Sequence, residues 1–350
     1  MIDLDERIVR TLRERAGGTV DTDRLTARAV ALGRARRRRR RIGAASALGV
    51  VALLGSAAVG ALGPVPGPRW PGAEPTVAVA APARVPGVPG AAARPDLVGN
   101  DPQLLHFTVD PARARWLTWQ SIAGAEGARL DLGGGRQVAF DLARTVTAVE
   151  DMRHEGMTYP AASAGADAFD GQVRQVPSPG PGAQPGWFLR WQPVPGLYAR
   201  VYTVADDDSV LRAAQSALRL DAAHRCASPL RLGALPPDAW LAGCAVNAVG
   251  FPDSLDVVLR VARPGGRWMQ VRLEHHREMA GSRAEGNRTI GDRAAYLYPK
   301  GDELELLGFR KAHLTARFGW PSHGFTEADA AVVLGGSRVA ADLADPRTWD

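Results

Sequence analysis

The sequence predicts an α+β protein with N-terminal helices, one transmembrane helix, a Pro/Ala linker, and then antiparallel sheet with covering helices in two repeated lobes. Three observations predict it. An uncharged 21-residue run follows a block of arginines, a proline-rich stretch comes next, and the remainder holds two clusters of strand-like segments, each ending in a helical pattern.

Residues 1–41 are read as a cytosolic basic helical segment. Leu4, Ile8 and Leu12 recur every four positions before Gly17, and Leu25, Ala29 and Leu32 share a second helical face. This segment holds 13 of the 43 basic residues and 6 of the 37 acidic ones, which leaves 30 basic and 31 acidic side chains in the rest. The basic surplus therefore belongs to the N-terminal segment, and the remainder has none to offer nucleic acid, which is not expected as a partner.

Arg36, Arg37, Arg38, Arg39, Arg40 and Arg41 directly precede the uncharged run at residues 42–62. At 1.5 Å per residue such a helix reaches roughly 30 Å, the thickness of a hydrocarbon core. The arginines are expected to act as a topology determinant, with the N-terminus cytoplasmic and the lipid bilayer as a partner. The long basic stretch ahead of it favours an uncleaved signal anchor over a cleaved signal peptide. Everything after it is then extracytoplasmic, in a protein of the cell membrane.

Residues 63–103 are expected to be a disordered linker, since nine prolines fall between Gly63 and Pro95 and no periodicity is visible. Two α+β lobes follow, 104–221 and 222–350. Strands are expected in segments such as RWLTWQSI (115–122), RQVAFDL (136–142), LDVVLRVA (255–262) and RWMQVRLEHH (267–276), with helices at 206–219 and 326–334. Ala199-Arg200 and Ala316-Arg317 each stand nine residues ahead of a helix start, at Ser209 and Thr326, which suggests a unit repeated after 117 residues. Cys226 and Cys244, the only two cysteines, are expected to form a disulfide.

Chemical motifs are weak. His275 and His276, flanked by Glu274 and Glu278, are the best metal candidate, but neighbours on a strand point to opposite faces, and a solvated strand end is favoured. Asp206, Asp207 and Asp208 read as a helix cap and Gly133-Gly134-Gly135 as a hairpin turn. Among the nine tryptophans, Trp116 and Trp119 are expected on opposite faces of one strand and Trp187 and Trp191 on the same face. No catalytic constellation or cofactor motif is present, so neither an enzyme nor a cofactor is expected.

Arg36 to Arg41, the run at 42–62 and the two later helices resemble the layout of single-pass membrane proteins of actinobacteria. The plan is also similar to that of membrane-bound anti-sigma factors, although residues 1–41 contain neither His nor Cys and so lack their zinc motif. The anchor, the linker and the lack of a catalytic constellation point to a non-enzymatic envelope protein whose outer domain is expected to bind a protein, a lipid or a wall ligand. The alternative that the resemblance implies is a regulator acting through a cytosolic partner of the N-terminal helices.

Overall fold

The chain falls into two compact units, Met1–Gly72 and Ala73–Asp350. The computed structural model describes residues 80–154, 165–176, 184–205, 207–319 and 324–349, all in the second unit. That unit is mainly β. Thirteen strands form one antiparallel sheet: β1 (Arg115–Ile122), β2 (Ala125–Asp131), β3 (Gln137–Ala143), β4 (Asp170–Val176), β5 (Gly186–Trp191), β6 (Tyr198–Val204), β7 (Trp240–Asn247), β8 (Ser254–Arg263), β9 (Arg267–His276), β10 (Arg288–Ile290), β11 (Arg293–Leu297), β12 (Glu303–Leu306) and β13 (Ala312–Arg317).

The strand order is β10-β11-β12-β13-β9-β8-β7-β1-β2-β3-β6-β5-β4. Outward from the central β1·β7 pair, one half runs β1, β2, β3, β6, β5, β4, and the other runs β7, β8, β9, β13, β12, β11, then β10. The two halves thus repeat the same local path, a three-strand meander followed by strands that return in reverse order. Ala199-Arg200 lies on β6 and Ala316-Arg317 on β13, which hold equivalent places in the two halves. Residues 104–221 and 222–350 share this one sheet, because β1 pairs with β7 from Thr118↔Asn247 to Ile122↔Gly243.

The two longest strands, β8 and β9, alternate. On β9, Met269, Val271, Leu273 and His275 are buried, while Trp268, Gln270, Arg272 and Glu274 point the other way. The buried phase forms the inner face, where the largest core lies. Helix α2 (Ser209–Ala217) packs on β3, β5 and β6 through Val210, Leu211 and Ala214. Helix α3 (Glu327–Gly335) packs on β10, β12 and β13 through Ala330, Val333 and Leu334, and Thr326 and Asp329 close its capping box. Between them a small sheet of Arg84–Pro89, Ala222–Arg225 and Leu104–Leu105 lies on the core side. The Cys226–Cys244 disulfide ties that layer to β7, and Trp119 of β1 donates its indole N–H to the Cys226 carbonyl at 2.9 Å.

Several expectations need correction. The α+β class gives way to a mainly β fold with three short α-helices among the described residues. The reason is that β2 and β7, read from AEGARLD and WLAGCAVN, carry Ala and Gly where strand-forming sequences carry branched or aromatic residues, so the strand content is hidden in composition. Residues 80–103, expected within a disordered linker, are ordered: Arg84–Pro89 pairs with Ala222–Arg225, and Ala91 and Val98 are fully buried.

The single-pass layout is corrected as well. No helix among the described residues is long and apolar enough to cross a membrane. The expected span at 42–62, its flank Arg36 to Arg41 and the N-terminal helices lie outside the described residues. An uncharged run of that length states only how far a helix there would reach and does not establish one. The membrane, transmembrane and signal-anchor assignments are withdrawn, with the cytoplasmic N-terminus and extracytoplasmic domain that rested on them.

Candidate functional site

The face opposite the core is treated differently in the two halves. Over β2, β3 and β6 it is sealed by helix α1 (Val146–Asp151) and the residues after it. Val149 and Met152 fill a small apolar cluster with Ala125, Ala143 and Phe169. Gly127 lets this segment approach, since a Cβ there would meet Asp141 Oδ1 at 2.8 Å and Met152 Cε at 2.9 Å.

A buried ionic network fastens the cover. Asp141 on β3 accepts from Arg200 Nη2 at 2.6 Å and Nε at 2.9 Å, and pairs with His154 Nε2 at 2.7 Å. Glu150 of α1 accepts from Arg190 Nε at 2.9 Å and from Arg200 Nη1 at 3.3 Å. Burial opposes ionisation of Asp141, but the Arg200 guanidinium and His154 outweigh it and hold its carboxyl below the usual range. Asp141, His154, Arg190 and Arg200 are all buried, so the network ties the cover to the sheet.

Across β7, β8, β9 and β13 no helix among the described residues covers the same face. Strand register places its side chains in rows. Trp240, Ala262 and Trp268 form one row across β7, β8 and β9. Ile122, Gly243, Arg260, Gln270 and Arg317 form the next, and Gln120, Ala245, Val258, Arg272, Thr315 and Glu305 the one after. Small residues on β7 keep the floor low, and a trough of about 800 Å³ runs over it.

Its walls combine aromatic and cationic groups. Trp240 is 47% exposed, the register shift between Leu241 and Gly243 sitting directly beside it. Arg260 lies over the Trp268 ring with Cζ 4.9 Å from the centroid, and it has no carboxylate partner among the described residues. The Arg267 side chain, beside the Gly265-Gly266 turn, donates among the described residues to the Pro264 carbonyl at 3.0 Å. Arg263 is bound to Asp329 at 2.7 Å and stacks on Phe325. Arg153 and Asp151, from the cover of the other half, close the near end.

Beyond Gln270 the face becomes a polar recess of about 360 Å³. Fully buried Glu305 accepts from the Tyr298 hydroxyl at 2.9 Å and pairs with His313 Nδ1 at 2.6 Å. Burial and the Glu305 carboxylate raise the Tyr298 pKa, so its proton stays in place. Arg272 is held by Asp256 at 2.8 Å, and that hydrogen bond raises its pKa. Among the described residues His313 bonds no hydroxyl or thiol, and the hydroxyl in the network is that of Tyr298 on Glu305.

No protein-family model matches the chain, and no curated protein or solved structure is similar to it.

The motifs singled out in the sequence do not converge on this face. His275 is buried on the core side, where Nδ1 pairs with the Lys311 carbonyl at 2.9 Å, while His276 is exposed. Among the described residues no group of three or more His, Cys, Asp or Glu is placed to hold a metal. Asp207 accepts from the amide and hydroxyl of Ser209 at the start of α2, and Gly133 to Gly135 turn between β2 and β3, all with positive φ.

Trp116 and Trp119, expected on opposite faces, both lie in the core with rings 5.9 Å apart, because the ladder shifts register between Trp116 and Thr118. Trp187 and Trp191 both pack against the main core. The residues that matter in the trough were missed, yet one signal existed. Trp268 sits in the polar phase of β9, in line with Gln270, Arg272 and Glu274, where an indole has no core to fill. Trp240 carries no such signal, since the shifted register beside it breaks the alternation.

Proposed function

We propose that this chain is a non-enzymatic binding protein that seats its ligand in the trough over β7, β8 and β9. One observation carries the proposal. The outer face is covered over one half of the sheet by the chain's own α1 segment, while over the other half one trough is lined by Trp240, 47% exposed, and by Arg260, which lies over Trp268 and has no carboxylate partner among the described residues. Aromatic side chains with a free cation beside them, on a floor of small residues, suit recognition of a molecule with an anionic group and a flat or apolar body.

The test is intrinsic tryptophan fluorescence of the full chain titrated with a panel of anionic glycans, lipids and peptides. A saturable response is expected, reduced at least about tenfold in Trp240→Ala, which equals about 1.4 kcal/mol of binding energy. A ligand whose binding ignores Trp240 places the seat elsewhere. Multiple turnover of any panel member by the purified chain contradicts the non-enzymatic part.

A further inference from the structure

Resting on that binding proposal, we infer that the trough's ligand is an acidic saccharide, a chain of sugar rings bearing carboxylates. The trough carries two kinds of contact. Trp240 offers an exposed ring face, and the apolar C–H face of a pyranose packs on such a ring while its hydroxyls stay in water. Arg260, without a carboxylate partner among the described residues, offers the planar donors that match a carboxylate two bonds at a time.

The layout selects this class over two others. Trp240 and Trp268 are two strands apart, roughly 10 Å, with only the methyl of Ala262 between them, so ring-sized objects fit across the row. The floor of Gly243, Ala245 and Val258 is shallow and open to solvent along the trough, and it gives an acyl chain no enclosed cavity. Single-stranded nucleic acid would also stack on indoles, but its phosphate-dense backbone calls for a basic surplus, and residues 42–350 hold 30 basic against 31 acidic side chains. Gln270, next to Arg260 in its row, adds an amide suited to sugar hydroxyls.

The test titrates the full chain with oligogalacturonate, a neutral cello-oligosaccharide of equal length, phosphatidylglycerol vesicles and poly(dT), read by tryptophan fluorescence and calorimetry. Oligogalacturonate is expected to bind at least about tenfold more tightly than the neutral oligomer, a preference that shrinks in Arg260→Gln. Trp240→Ala is expected to weaken it at least about tenfold and Trp240→Phe to restore most of the loss. Thermal melts confirm that the variants fold. Equal binding of charged and neutral oligomers, or indifference to Arg260→Gln, overturns the acidic-saccharide inference. If vesicles or poly(dT) bind in a Trp240-dependent manner and oligogalacturonate does not, the saccharide class falls while the trough remains the seat. If no probe binds through Trp240, both proposals fall.

Discussion

Arg260 of β8 rests on the indole of Trp268 of β9, one strand over and displaced along the ladder, with its guanidinium carbon 4.9 Å from the ring centroid. The contact holds the guanidinium over an aromatic plate, with no carboxylate partner among the described residues. A cation held this way keeps its donors available, and the stacked geometry reduces the side-chain freedom lost when an anion binds.

Tryptophan position decides the cost of removing it. Trp240→Ala is expected to change folding stability by no more than about 0.5 kcal/mol, because the side chain is 47% exposed. Trp119→Ala is expected to cost about 3–5 kcal/mol, since it empties a core site and strands the Cys226 carbonyl that accepts from its indole. Urea unfolding of both variants checks the contrast.

The Cys226–Cys244 bridge closes a loop with a sequence separation of 18 and joins the small inner sheet to β7. Replacing both residues with Ala is expected to lower stability by about 3 kcal/mol by loop entropy. Adding a reductant to the wild type should lower its unfolding midpoint to near that of the double variant, and should leave the double variant unchanged.

Acid should loosen the α1 cover. Asp141 has its pKa lowered in the fold despite burial, because Arg200 and His154 favour the charged form. Its contribution is therefore complete above the unfolded carboxyl value near pH 4 and is lost as pH falls through the lower folded value. Asp141→Asn is expected to flatten the acid limb of the stability–pH curve and, by leaving Arg200 poorly matched, to cost about 3–5 kcal/mol at pH 7. Chemical unfolding from pH 2 to pH 7 measures both effects.

Gly127 marks where the cover meets the sheet. Gly127→Val is expected to cost about 1–3 kcal/mol, because its first added carbon already meets Asp141 and Met152 below 3.0 Å. Hydrogen exchange should show the loss first in Val146–Asp151, with β12 and β13 still protected.

At the start of α3, Thr326→Ala removes the hydroxyl that accepts from the Asp329 amide and is expected to cost about 1 kcal/mol. A small fall in the thermal midpoint with an unchanged far-ultraviolet spectrum is the outcome sought.

Local chemistry alone determined a good part of this protein. Alternation on Ser254–Arg263 and Arg267–His276 sets them as strands with a buried and a wet face, and Thr326 with Asp329 announces a helix start. Such features need only neighbours within a few residues, and so they are legible in a linear string. Which strands become neighbours is not local. The Ala- and Gly-rich strands β2 and β7 are stable because partners on both sides supply their hydrogen bonds, and their small side chains make room for the α1 cover and for the trough floor. The tertiary structure alone set the α1 cover over one half of the outer face and no helix among the described residues over the other. It also placed Trp240, Arg260 and Trp268 together, although Trp240 lies 28 positions before Trp268, because only strand register sets distances across a sheet.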